Sequence, residues 1–141
     1  MRMLREYGKK HRISVAASAA AVLLCFGFLV FGGTIRIDTE ELINQPGTTV
    51  GWLTIGRFGL VLLKRLLLLE TYRPVAGGVM FLLFFWLGAN LLAYALYRFS
   101  GRQERFPYGV FLLLYVTSQI CRFQEYFSLQ QAELALAMLL L

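Results

Sequence analysis

Two long apolar runs without a charged residue, 13–33 and 74–97, constrain this chain more than any other feature of its sequence. A helix of about 20 residues rises about 30 Å, the thickness of a bilayer's hydrocarbon core. The core of a small soluble domain cannot bury apolar blocks of that length. Composition agrees: 58% of the 141 residues are hydrophobic and 16% charged, against about 25% charged in ordinary globular domains.

The net charge of +6 gathers at the ends of the apolar runs. Arg2, Arg5, Lys9, Lys10 and Arg12 precede the first run against one acid, Glu6, and Arg98, Arg102 and Arg105 follow the second against Glu104. Basic flanks of this kind orient membrane helices. They place the N-terminus and 98–106 in the cytoplasm and 34–73 outside. No basic and aromatic residues interleave on a polar surface, which argues against a nucleic-acid partner. The first run exceeds the roughly 7–15 apolar residues of a signal peptide, and further apolar segments follow, so an uncleaved helix is expected. Pro74 suits a helix start, where its missing N–H is no loss. Tyr94 and Tyr97 read as aromatic anchors toward the cytoplasmic end. A third span is expected over about 107–121 and the start of a fourth over about 132–141. Eight apolar residues, 134–141, cannot span, so the chain reads as the amino-terminal piece of a longer protein. The expected fold class is all-α, with polytopic transmembrane helices and an external interfacial amphipathic helix. His11, in its basic run, is expected to face solvent or headgroups. Cys25 and Cys121 have no metal-binding spacing and read as small hydrophobes.

Three outer stretches carry the candidate chemistry. Asp38, Glu40 and Glu41 lie within four residues just past the first run, beside Arg36. Carboxylates there could act as a general base, hold a divalent cation or pair with basic groups, and a solvated loop is the plainer alternative. Next come Trp52-Leu53-Thr54-Ile55-Gly56-Arg57 and the apolar segment 58–69. On a continuous helix Arg57 and Lys64, seven residues apart, share a face with Arg65 beside them. That pattern predicts a helix lying in the outer interface with a basic stripe at headgroup depth. The stripe would bind lipid phosphates in general or one lipid-linked phosphate. In the third stretch, 122–133, Glu125 and Glu133 are eight apart and would share a helical face. Such groups near membrane depth tend to face cavities or partners, and a polar re-entrant turn is the alternative.

Together Asp38-Thr39-Glu40, Trp52-Leu53-Thr54-Ile55-Gly56-Arg57 and Gln124-Glu125-Tyr126-Phe127-Ser128-Leu129-Gln130-Gln131-Ala132-Glu133 resemble the Gtr-type glucosyltransferase II family. Its members are bacterial multi-span enzymes that glucosylate O-antigen and other surface polymers. The resemblance runs from about Arg12 to Leu141 and covers the amino-terminal part of the family's length. It implies a GT-C-like fold in the bacterial cytoplasmic membrane, a polyprenyl-phosphate sugar as donor and a surface polysaccharide as acceptor. On that resemblance Asp38 and Glu40 match the acidic motif and would carry the general base of an inverting transfer. Gly56-Arg57 match the turn that follows it, with Arg57 and Lys64 toward the donor phosphate. Glu41, Trp52 and Glu125 are further candidates. Many members have two adjacent acids where this chain has Asp38-Thr39-Glu40, which leaves the base open between the two carboxylates. The competing readings are a non-enzymatic partner or flippase-like subunit of envelope glycan assembly, and a transporter piece. Transporters place ionisable or broken-helix features at mid-bilayer, and neither clear run has an ionisable residue.

Overall fold

A computed structural model describes residues 2–31, 48–71, 73–100, 106–118 and 131–140. The regular elements among these are all helices: α1 (Arg2–Lys10), α2 (Arg12–Phe31), α3 (Thr48–Thr54), α4 (Phe58–Leu66), α5 (Pro74–Ser100), α6 (Phe106–Val116) and α7 (Gln131–Leu140). The all-α expectation holds. One described helix, α5, is by itself long and apolar enough to cross a bilayer. It starts at Pro74 as expected and runs past Tyr97 to Ser100, because no helix breaker intervenes before Gly101. Its added turn carries the exposed Arg98.

The helix pattern of α1 passes almost unbroken into α2, since the His11 N–H donates to Tyr7 O and the Val15 N–H to His11 O. Both α2 and α6 pack on α5. Between them sits a core of Val22, Phe26, Phe81, Phe85, Ala89, Leu112 and Val116. Phe26 meets Phe81 and Phe85 edge-on, and those two stack on each other. The buried face of α5 recurs at helical spacing through Gly78, Phe81, Leu82, Phe85, Ala89 and Ala93. Small residues on that face let neighbouring helices approach. At Gly78 the approach is closest: a Cβ there would stand 2.8 Å from Val30 Cγ2.

A polar seam crosses the same packing. Trp86 Nε1 and Asn90 Nδ2 both donate to Ser18 Oγ, at 3.2 and 3.3 Å, and Ser18 Oγ donates to Val15 O at 2.8 Å. Between apolar helices such bonds fix register at modest energy.

One end of the bundle is closed by aromatic side chains. Tyr7 packs on His11, Tyr94 and Tyr97, and His11 on Tyr97 and Tyr108. This corrects two expectations. His11 is 1% exposed rather than solvated, and the tyrosines of α5 pack on α1 rather than only anchoring a surface. The reason is that α1 continues the direction of α2 and brings its aromatic side against the end of α5. Burial pushes the Tyr7 phenol up to about 12, helped by the neighbouring Tyr108 and Tyr97.

α7 packs chiefly on α5, with Leu139 beside Gly88. Leu69, just after α4, contacts Gly77, and Lys64 in α4 reaches Glu133 in the first turn of α7. The α3–α4 pair is thereby held near the starts of α5 and α7, which run the same way. That is the end of the bundle opposite the tyrosines.

Candidate functional site

At that end, two short helices and a turn position the side chains. α3 stops in a motif that its sequence explains. The Gly56 N–H donates to Leu53 O and the Arg57 N–H to Trp52 O, with Gly56 at φ 81°. This is a Schellman closure, which needs a left-handed residue and is met without strain by glycine. α4 ends in the same way, the Leu68 N–H donating to Arg65 O and the Leu69 N–H to Lys64 O. Here the left-handed residue is Leu68, at φ 56°, where a Cβ costs about 1–2 kcal/mol. The turn drives Leu69 into contact with Gly77 while Leu68 stays exposed.

The expected helix over 58–69 is found as α4, closed after Leu66 by the turn at Leu68, but its basic residues do not form one exposed stripe. Arg57 stands before the first turn of α4 and is exposed. Arg65 is exposed and pairs with Glu70, Nε to Oε1 at 2.6 Å. Lys64 is buried and donates to Glu133 Oε1 at 2.9 Å. Trp52, on α3, lies with its ring centroid 5.7 Å from Lys64 Nζ, within cation–π range. Trp52, Lys64 and Glu133 thus form one cluster built from α3, α4 and α7. A lysine enters a dry interior only with a counter-charge, and this one comes from 69 residues downstream. Local periodicity carries no sign of it. One signal was present in the sequence: Glu133 is the lone acid at the start of the apolar segment 134–141, where an unpaired carboxylate is costly.

Among the candidate residues the structure brings together Trp52 and Lys64, and leaves Arg57 open on the surface of the same turn. Asp38, Glu40, Glu41 and Glu125 lie outside the described residues. Among the described residues no group of three His, Cys, Asp or Glu side chains could hold a metal ion. The cluster offers a neutralised ion pair under an indole, beside an exposed guanidinium. Such an arrangement can bind and position, and its one carboxylate, Glu133, accepts from Lys64.

Comparison with known proteins places most of this chain in one family. The family model described as Glucosyl transferase GtrII matches residues 27–141. The match takes in the end of α2, the 38–41 carboxylates, the α3–α4 pair, α5, α6 and α7. No curated protein and no solved structure matches.

Proposed function

Since the chain belongs to the glucosyl transferase GtrII family, we propose that it moves glucose from a polyprenyl-phosphate donor to a surface polysaccharide at the outer face of the bacterial cytoplasmic membrane. The observation that carries this reading is the family match itself, because it covers the acidic segment, the Gly56–Arg57 turn and the membrane-length helix α5 together. In this reading the chain passes the membrane several times, N-terminus inside, and residues 34–73 with the Trp52–Lys64–Glu133 cluster face out. A lipid-linked donor keeps its tail in the bilayer and its phosphate in the interface, at the depth such a segment occupies.

The transfer is an inverting displacement. A carboxylate, Asp38 or Glu40, removes the proton of an acceptor hydroxyl as that oxygen bonds to the anomeric carbon. The bond from that carbon to the phosphate oxygen breaks, and polyprenyl phosphate leaves with the electron pair. Arg57 is assigned to the leaving phosphate, since a guanidinium binds phosphate through two parallel hydrogen bonds. Lys64 would reach that phosphate only by leaving Glu133, so its assigned role is to hold α4 against α7 and to set Trp52 and Arg57. Trp52 offers an indole face to the sugar. Glu41 and Glu125 are the alternative acids for the base or for a divalent cation.

The test is transfer of labelled glucose from polyprenyl phosphate by membranes expressing the full reading frame. Combined Asp38→Asn and Glu40→Gln should lower transfer by about 10²–10⁴ fold with donor binding retained. Wild-type rates in that variant would remove the proposed base. Donor binding or translocation without transfer by the wild type would point to a non-enzymatic partner instead.

A further inference from the structure

The tyrosine-capped end of the bundle, remote from the proposed transfer site, holds a cavity of about 590 Å³ between the α1–α2 junction and α6. Lys9, Lys10 and Arg12, around the α1–α2 junction, supply the charged part of its lining, and Ala17 on α2 with Val110 and Leu113 on α6 the apolar part. No carboxylate lines it among the described residues. Lys9 and Arg12 are exposed, and the half-buried Lys10 has its ammonium 5.8 Å from the Tyr97 ring centroid. Val110 and Leu113 are exposed on the wall of α6, 38% and 43%. α6 approaches α2 closely at the floor, where a Cβ on Gly109 would stand 3.0 Å from Ser14 Oγ.

We propose that this cavity binds an anionic phospholipid of the inner leaflet, its phosphate against Lys9, Lys10 and Arg12 and an acyl chain along Ala17, Val110 and Leu113. The two halves of the lining select that chemistry jointly. A soluble phosphate gains nothing from the apolar wall. A zwitterionic headgroup brings its own ammonium toward three cations. An anionic diacyl lipid satisfies both halves, and basic pockets between membrane helices on the cytoplasmic side bind such headgroups. The basic rim precedes residue 27, where the family match begins. The proposal rests on the membrane reading above and does not depend on the transfer chemistry.

The experiment is native mass spectrometry of the full chain in detergent, titrated with phosphatidylglycerol, with phosphatidylcholine of the same acyl chains, and with glycerol 3-phosphate as the soluble arm. Wild type should retain phosphatidylglycerol at least about tenfold better than phosphatidylcholine. Lys9→Gln and Arg12→Gln should each weaken retention about fivefold, the share of one basic residue near a lipid surface. Ala17→Leu and, on the opposite wall, Leu113→Trp fill the groove without changing charge, and each should reduce retention of the diacyl lipid. Circular dichroism identifies any variant that has unfolded, and two independent groove-filling sites guard against losing one. Equal retention of both lipids by the wild type overturns the proposal, as does full retention by both filled variants. Competition by glycerol 3-phosphate at the lipid's own concentration also overturns it, in favour of a soluble phosphate site. Flotation with vesicles separates the two readings: a chain that stays out of bilayers defeats the membrane reading itself.

Discussion

Lys64 and Glu133 are each 3% exposed, and desolvation makes two such charges expensive unless they meet. Removing one partner of a buried pair leaves the other uncompensated, at about 3–5 kcal/mol, whereas replacing both by apolar side chains is often neutral. Lys64→Met alone and Glu133→Leu alone should therefore lower thermal stability steeply, and the double variant should recover most of it. Additive losses in a double-mutant cycle would show that the two side chains act separately. The exposed Arg65–Glu70 pair is shorter, yet solvent screens it, and Glu70→Ala should change stability by about 1 kcal/mol at most. Tyr7 gives a second residue-scale prediction. Its phenol titrates at about 12 in the fold against 10.0 in the free side chain, so the folded state keeps the proton longer. Its contribution is fully present below pH 10 and is lost as pH rises through the interval up to about 12. Absorbance titration near 295 nm and thermal midpoints across that interval measure it, and Tyr7→Phe should remove this share of the alkaline loss.

At the scale of elements, α2 and α5 were legible because charge-free length is a local property. The helix start at Pro74 followed from the same run. The α3–α4 pair was legible only in part. Its amphipathic composition was readable, but the burial of Lys64 was not, because its partner Glu133 comes from α7, while Arg57 at the start of the same helix stays exposed. His11 was misjudged as an environment because its neighbours come from other helices, whereas Glu133 faces a partner, Lys64, as one of its two readings expected. The acidic residues of the candidate site, Asp38, Glu40, Glu41 and Glu125, remain known from sequence alone. Helix packing also sets a prediction at this scale. Gly78→Ala puts a methyl 2.8 Å from Val30 Cγ2, and overpacking of this kind costs about 1–3 kcal/mol. Adding Val30→Ala should restore part of the lost thermal stability, and no recovery would place the clash elsewhere.

The whole molecule has two chemically different ends joined by apolar helices. Tyrosines, His11 and the basic rim occupy one, and the Trp52–Lys64–Glu133 cluster the other. Under the proposed topology the two ends meet opposite sides of a membrane. Single cysteines at Thr71 and at Phe99, both exposed positions, report on this once Cys25 and Cys121 are changed to alanine. A membrane-impermeant maleimide should modify the Thr71→Cys chain in intact cells, and the Phe99→Cys chain only after the membrane is opened. Labelling of both from one side would defeat the multi-pass arrangement.

The Lys64–Glu133 pair also sets an order of events at the ribosome. Its members are 69 residues apart, and at about 5–20 residues per second the carboxylate is made roughly 3–14 s after the lysine. Through that interval the ammonium keeps its water, and α4 cannot take its final seat. The Lys64–Glu133 end of the bundle is therefore completed last, after α5 and α6 have been synthesised, when the start of α7 delivers the missing charge.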